Sequence, residues 1–419
     1  MNSKNILIIC YSFPPNPGVG GRRWAKFAKY LSKNNYNVHV VSNFNTSQKI
    51  SEWVKDVKLD DITIHEQQVF YPNIFNAVPK TVFEKFNYRF WLVFFKLFSK
   101  GSLYDKSFFW KHTVSKNVKK LIIDNEIKNV VVTGPPFRLL YFTALLKDEL
   151  KNLNLIVDLR DPWTDNTSFF GFDTISPARM NFEKKMEKEV MLRANYVVSV
   201  NDYLTQIFKG KYPILKDKFI TIFNGYDPDE IIVSDEVKNS KKDSIDFILT
   251  GSLYPDLEYV FLPFLKFLKN NEHSEFLKKV TFHFYGQIDY NLEKVIKQYD
   301  LSSVKLHGFQ KMDLVKQKVA QSDFCMMFTS PNHASNFNTK FYEYISMKKP
   351  IIHFSNDGDI TDVIVKNRLG FAVRPNSFNE DFEKVLNQIK SNDFNYNYDY
   401  DMKAFDIRHL TKEIEKLFI

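Results

Sequence analysis

A chain of 419 residues, 44% hydrophobic and with 41 phenylalanines, is long enough for two or three domains with sizeable cores. Its two cysteines, Cys10 and Cys325, lie in apolar strand-like runs with no paired Cys/His spacing, which excludes a disulfide framework and a zinc site and points to a reducing compartment. The formal charge of +9 is concentrated: residues 71–120 carry ten Lys/Arg against two acids, Glu84 and Asp105, a surplus of eight. The amino-terminal apolar run is too short for a signal peptide, and no apolar run approaches the roughly 20 residues that span a bilayer. These features predict a cytoplasmic protein.

Ile6–Cys10 reads as a fully buried strand. The loop after it, with Phe13-Pro14-Pro15, Gly20-Gly21 and Arg23, opens a helix whose Trp24, Phe27, Ala28 and Leu31 repeat at helical spacing. Val38–Ser42 completes a βαβ unit, whose first turn is a ligand site in open α/β sheets. Neither G-x-G-x-x-G nor a phosphate-loop signature is present, but adjacent glycines at a helix start let backbone approach a ligand. A tight turn alone is the other reading of the pair. Further strands are expected at Ile62–Val69, Asn129–Thr133, Leu155–Asp158, Tyr196–Val200 and Phe219–Phe223. The third of these runs into Asp158-Leu159-Arg160-Asp161, placing carboxylates and an arginine at a strand's carboxyl end. Arg160 can also simply pair with a neighbouring Asp.

The basic window mixes Trp91, Trp110 and many Phe and Tyr with its lysines, a composition suited to an anionic membrane–water interface. A buried helical insertion is the alternative. Nucleic acid ranks last, because no reading helix, zinc finger or RNA-binding motif accompanies the charge.

Residues 228–244 are polar and aperiodic and read as a linker. Alternation restarts with strands at Ile245–Thr250, Val280–Tyr285, Val304–His307, Asp323–Phe328, Pro350–Phe354 and Gly370–Val373, three of them ending at Gly251, Gly286 and Gly308. Helices are expected at 257–269, 292–299, 312–321, 359–366, 380–390 and 402–418. The most informative stretch is Asn338–Pro350, a short helix leading to a strand. Asn338 or Thr339 can cap it, and Phe341 and Ile345 form its inward stripe. Lys340 adds a full charge to a helix start that already favours anions. Glu343, one turn on, can accept two hydrogen bonds from a vicinal diol. A phosphate followed by ribose hydroxyls would satisfy both; an ordinary solvent-facing Lys/Glu pair is the competing reading.

Taken together these pieces resemble the GT-B glycosyltransferases, closest to family 4, the retaining nucleotide-sugar enzymes. The similarity rests on Phe13-Pro14-Pro15 with Gly20-Gly21 and Arg23, Thr133-Gly134-Pro135-Pro136, Asp158 to Trp163, and Asn224-Gly225-Tyr226-Asp227. Thr250-Gly251-Ser252, His307-Gly308-Phe309, Lys340 to Tyr344 and Lys349-Pro350 complete it. The resemblance implies an α/β protein with two doubly wound Rossmann-like domains facing each other across a cleft. An acceptor-side domain would cover residues 1–227, with the insertion at 71–120, and a donor domain 245–395, with a tail at 396–419 that can cross back.

It implies catalytic roles for Lys340, Glu343 and Asp161, with Asp158 a weaker candidate beside Asp161 for the acceptor or transferred sugar. Gly20, Gly21, Arg23, Gly251, Ser252, Gly308, Phe309 and Thr339 would contact the donor: glycine amides and Lys340 at the diphosphate, Glu343 at the ribose, Gly308 and Phe309 at the base. No metal or cofactor is implied. The implied partners are a nucleotide-sugar donor, a glycan or lipid-linked acceptor of cell-surface polysaccharide synthesis, and the inner membrane face. The alternatives are a non-catalytic sugar-nucleotide-binding subunit and a sugar-nucleotide epimerase of the same architecture. Two departures stand out. Ser335 occupies a position where many members carry Glu, and no Arg or Lys follows Gly251.

Overall fold

The structure, a computed structural model, describes residues 4–46, 49–76, 78–166, 171–231, 244–330 and 337–419. The chain divides into two compact units, Met1–Phe223 with Ile407–Ile419, and Asn224–Asp406. Most of the stretch read as a linker, and Ser335, fall outside the described residues; Pro228–Glu230 forms a 3-10 turn.

The first unit is built on a seven-stranded parallel sheet. Its strands are β1 (Lys4–Cys10), β2 (Tyr36–Asn43), β3 (Ile62–Gln67), β4 (Asn129–Gly134), β5 (Asn154–Leu159), β6 (Tyr196–Ser199) and β7 (Phe219–Thr221). They lie in the order β3-β2-β1-β4-β5-β6-β7. Ile6 to Ile9 and Val130 to Val132 are completely buried, as expected for strands covered on both faces by crossover helices. β7 stops at Thr221, two residues short of the sequence expectation. The Ile222 amide still donates to the Ser199 carbonyl on β6 at 2.9 Å, but the carbonyls of Ile222 and Phe223 accept from Arg23 Nη2 and Nη1 at 2.8 and 2.6 Å, and the ladder goes no further.

Helix α1 (Arg22–Lys33) follows the glycine turn and α2 (Val82–Phe98) forms the basic, aromatic insertion. Helix α3 (Pro177–Arg193) presents two buried carboxylates, Glu183 and Glu187, to the body of the unit. Glu183 accepts from Trp163 Nε1 at 2.8 Å and from the Ser102 amide at 2.6 Å, tying the insertion to α3.

The second unit holds a six-stranded parallel sheet of β8 (Ile245–Thr250), β9 (Val280–Tyr285), β10 (Val304–Gly308), β11 (Phe324–Phe328), β12 (Ile351–Phe354) and β13 (Gly370–Val373). The order is β10-β9-β8-β11-β12-β13. A phenylalanine cluster including Phe247, Phe261, Phe264, Phe282, Phe328, Phe354 and Phe382 fills its core. Both sheets therefore reverse direction of travel once, between β1 and β4 in the first unit and between β8 and β11 in the second. Both units are doubly wound and Rossmann-like, each with a switch point where open α/β sheets bind ligands.

Helix α4 (Thr339–Ser346) precedes β12. The closing helix is shorter than its periodicity predicts: α5 spans Ile407–Glu415, because Lys403–Phe405 forms a separate 3-10 turn whose first amide is held by Asp401 at 2.9 Å. α5 packs in the first unit, where Asn34 Nδ2 donates to Glu415 at 2.6 Å and Asn154 Nδ2 to the Leu417 carbonyl at 2.7 Å.

Candidate functional site

At the switch point of the second sheet, β8 ends in Thr250-Gly251, with Gly251 in the left-handed region at φ 87°. Its amide donates to the Tyr285 carbonyl at 2.7 Å, and the Gly286 amide donates to the Gly308 carbonyl at 2.8 Å. A Cβ on Gly286 would stand 2.2 Å from the Gly251 carbonyl oxygen, so these strand ends approach in a way only glycine permits.

Helix α4 brings a cation to this edge. Asn338 caps it, accepting from the Phe341 amide at 3.1 Å, while Phe341 and Ile345 point into the core as their spacing predicted. Tyr344 fixes the helix in place. Its fully buried hydroxyl accepts from the Thr250 amide at 3.0 Å and exchanges a hydrogen bond with Thr250 Oγ1 at 2.9 Å. One turn earlier, Lys340 lies across the bare Cα of Gly251: a Cβ there would be 2.6 Å from Lys340 Cε and 3.2 Å from Nζ. Burial pushes the Lys340 ammonium down to about 8, with Glu343 pulling in the opposite direction. Among the described residues no carboxylate reaches ion-pair distance of Nζ. A half-buried cation at a helix start, beside exposed glycine backbone, is suited to an anion.

The structure thus brings together Gly251, Thr339, Lys340 and Glu343, with the half-buried Ser252 following Gly251. Gly308 joins the same strand edge through Gly286, and Phe309 beyond it is exposed. Sequence reading missed Tyr344. Its signal was present, four residues after Lys340 on the inward stripe, but an aromatic at core spacing reads as packing. Tyr344→Phe leaves the Thr250 amide and hydroxyl without their partner. It should destabilise by about 1–3 kcal/mol and weaken anion binding at Lys340, measurable by thermal melting with and without nucleoside diphosphate.

At the switch point of the first sheet, Gly20 and Gly21 precede α1. Gly21 is explained by packing, since a Cβ would fall 2.2 Å from the Ser12 carbonyl oxygen. Arg160 makes no salt bridge with its acidic neighbours. Its guanidinium donates to the carbonyls of Gly20, Gly134 and Pro135 at 2.7–3.2 Å, fastening the turn before α1 to the ends of β4 and β5.

Two expectations need correction. Arg23 does not line an open site: it is buried against Asp158 at 3.1 Å and the Ile222 and Phe223 carbonyls. Asp158 is fully buried and also accepts from Trp24 Nε1 and Thr133 Oγ1, each at 2.7 Å, so it is a core group facing no acceptor. Asp161 is half-buried beyond the β5 end. Among the described residues no group of three or more His, Cys, Asp or Glu could hold a metal. Cys10 and Cys325 are buried, and their thiols are pushed up to about 12.

Two linked doubly wound units with a cationic helix start at the second switch point define the GT-B architecture. Residues 246–392, which include α4 and most of the second unit, match the family described as "Glycosyl transferases group 1". The match lies within the second unit. Over its full length the chain is similar in fold to a glycosyltransferase from Rickettsia africae (17% identity, TM-score 0.64, covering 100% of this chain and 98% of the other). It is also similar to the catalytic domain of starch synthase IV from Arabidopsis thaliana, bound to ADP and acarbose (12%, 0.60, 100% and 99%). A third likeness is to UDP-GlcNAc 2-epimerase from Neisseria meningitidis, bound to UDP-GlcNAc (12%, 0.57, 99% and 99%). No curated protein matches in sequence.

Proposed function

We propose that this protein transfers a sugar, with retention of configuration, from a nucleoside-diphosphate sugar to a glycan or lipid-linked acceptor of cell-surface polysaccharide synthesis. The observation that carries the reading is Lys340, held by Tyr344 across the bare backbone of Gly251 at a helix start. Sugar transfer releases a diphosphate whose growing charge must meet fixed cations and dipoles. The α4 amides and Lys340 supply both without reorganising. Glu343 takes the ribose hydroxyls, Gly308 and Phe309 lie toward the base, and Asp161 with the Gly20 and Gly21 amides serve the first unit's share of the reaction. No metal or cofactor is part of this mechanism.

The group 1 match and the ADP- and UDP-GlcNAc-bound neighbours of the same fold support a nucleotide donor. The basic, aromatic insertion supports an acceptor presented at the inner membrane face of the cytoplasm. The test is thermal shift across ADP, GDP, UDP and TDP followed by donor turnover with membrane extracts. One nucleoside diphosphate should raise the melting temperature, and its sugar should be consumed only when acceptor is present. Conversion of the donor to its epimer with no acceptor present, read by product analysis, would identify an epimerase instead.

A second reading has its own observation. The loop after Gly251 is Ser-Leu-Tyr-Pro-Asp-Leu-Glu, pinned by Leu253 to the Gln287 carbonyl at 2.9 Å, and offers no cation. A binding subunit without turnover fits that, and would show the same shift with no donor consumption under any condition.

A further inference from the structure

The insertion is anchored on one side and bare on the other. On its inner side Phe95 is buried against Phe75 and Phe108. Arg179 donates to the carbonyls of Lys96, Ser99 and Gly101 at 2.6–2.9 Å, clamping the carboxyl end of α2. At the other end Thr81 and Glu84 form a reciprocal capping box. The helix is therefore capped at its start and clamped to the body at its carboxyl end, where Phe95 is buried.

Its outer side carries Phe83, Phe86, Phe90, Val93 and Leu97, exposed by 77%, 69%, 55%, 54% and 73%. At about 100° per residue these five fall in one arc of the helix, and Lys85, Arg89 and Lys96 fall in the arc beside it. Large apolar side chains with alternating three- and four-residue spacing, all facing water, form a contiguous patch of the kind that marks an interaction surface. The flanking arc is wholly cationic. The nearby acid, Glu84, is held by the amides of Lys80 and Thr81 at 2.7 and 3.1 Å and does not neutralise it.

We propose that α2 is a membrane-docking helix: its five apolar side chains enter the headgroup region of an anionic bilayer while Lys85, Arg89 and Lys96 meet lipid phosphate. The charge pattern selects this occupant. A second copy related by two-fold symmetry would bring the same cationic arcs together, and nucleic acid would leave the phenylalanines in water. A lipid interface accommodates both arcs at once. This deepens the acceptor side of the function proposed above. Its test reads lipid binding alone, so either idea can fail while the other stands.

The full chain is floated with vesicles of phosphatidylcholine or of phosphatidylcholine with phosphatidylglycerol, alongside its sedimentation in free solution. Two variants accompany it, F86S/F90S and K85S/R89S/K96S; all five positions are exposed, so unchanged melting is expected for both. Wild type should bind the anionic vesicles and leave the neutral ones. The triple cation variant should lose about a hundredfold in partitioning, and the phenylalanine pair should lose what binding remains at high salt. The proposal is overturned by absence of enrichment on anionic vesicles at low salt, by equal binding to both vesicle types, or by a solution dimer that F86S/F90S dissociates without any vesicle binding.

Discussion

Replacing Lys340 with alanine is expected to reduce sugar transfer by about 10²–10³-fold, the effect of deleting one preorganised electrostatic donor, while the fold persists. The sign on stability follows from the same geometry. Burial holds the ammonium down to about 8 from its ordinary 10.5, so the folded state disfavours the charged form. Between these two values the unfolded chain binds more protons than the folded one, and the Lys340 contribution to stability rises with pH across that window. Lys340→Ala should lack this rise and be at least as stable as wild type at neutral pH. Nucleotide binding runs the other way. A bound diphosphate favours the ammonium, so affinity should be greatest below pH 8, weaken above it, and be accompanied there by proton uptake. Calorimetry in buffers of different ionisation enthalpy measures that uptake. Near-wild-type transfer by the alanine variant, or pH-independent affinity through this window, would remove Lys340 from the donor site.

The second unit shows which parts of such a site can be read in advance. Strand runs such as Cys325 to Phe328 are apolar on both faces and short, so their length and boundaries carry the signal. The cap at Asn338 and the inward pair Phe341 and Ile345 are local rules applied to local sequence. What α4 rests on is not local. Tyr344 meets Thr250 across 94 positions of chain, and Lys340 meets Gly251 across a comparable separation. Neither pairing leaves a mark in spacing.

The same limit explains Arg23. The family resemblance implied a donor contact for Arg23, and only the folded sheet reveals that Asp158 and two carbonyls surround it. The α2 insertion falls between these cases. Its charge surplus was legible, but which of its many aromatics face water depends on what Arg138, Arg179 and Glu183 clamp beneath it.

Asp158 provides the largest expected effect on stability. Its two oxygens satisfy Arg23 Nε, Trp24 Nε1 and Thr133 Oγ1, all with Asp158 itself completely shielded from water. Asp158→Ala would strand a buried guanidinium and leave an indole N–H and a hydroxyl unpaired. Removing one partner of a buried pair costs about 3–5 kcal/mol, which for a unit of this size lowers the melting temperature by on the order of 10 °C. Arg23→Met in the same background should recover part of the loss, because it withdraws the stranded charge, whereas independent sites would simply add. An acceptor-contacting carboxylate at this position predicts the opposite pattern: melting unchanged, transfer abolished, and no rescue from position 23. Urea or thermal unfolding of the two single variants and the double variant decides between these outcomes. Whatever the donor and acceptor prove to be, a large stability loss with partial rescue assigns Asp158 and Arg23 to holding α1 against the ends of β4 and β5.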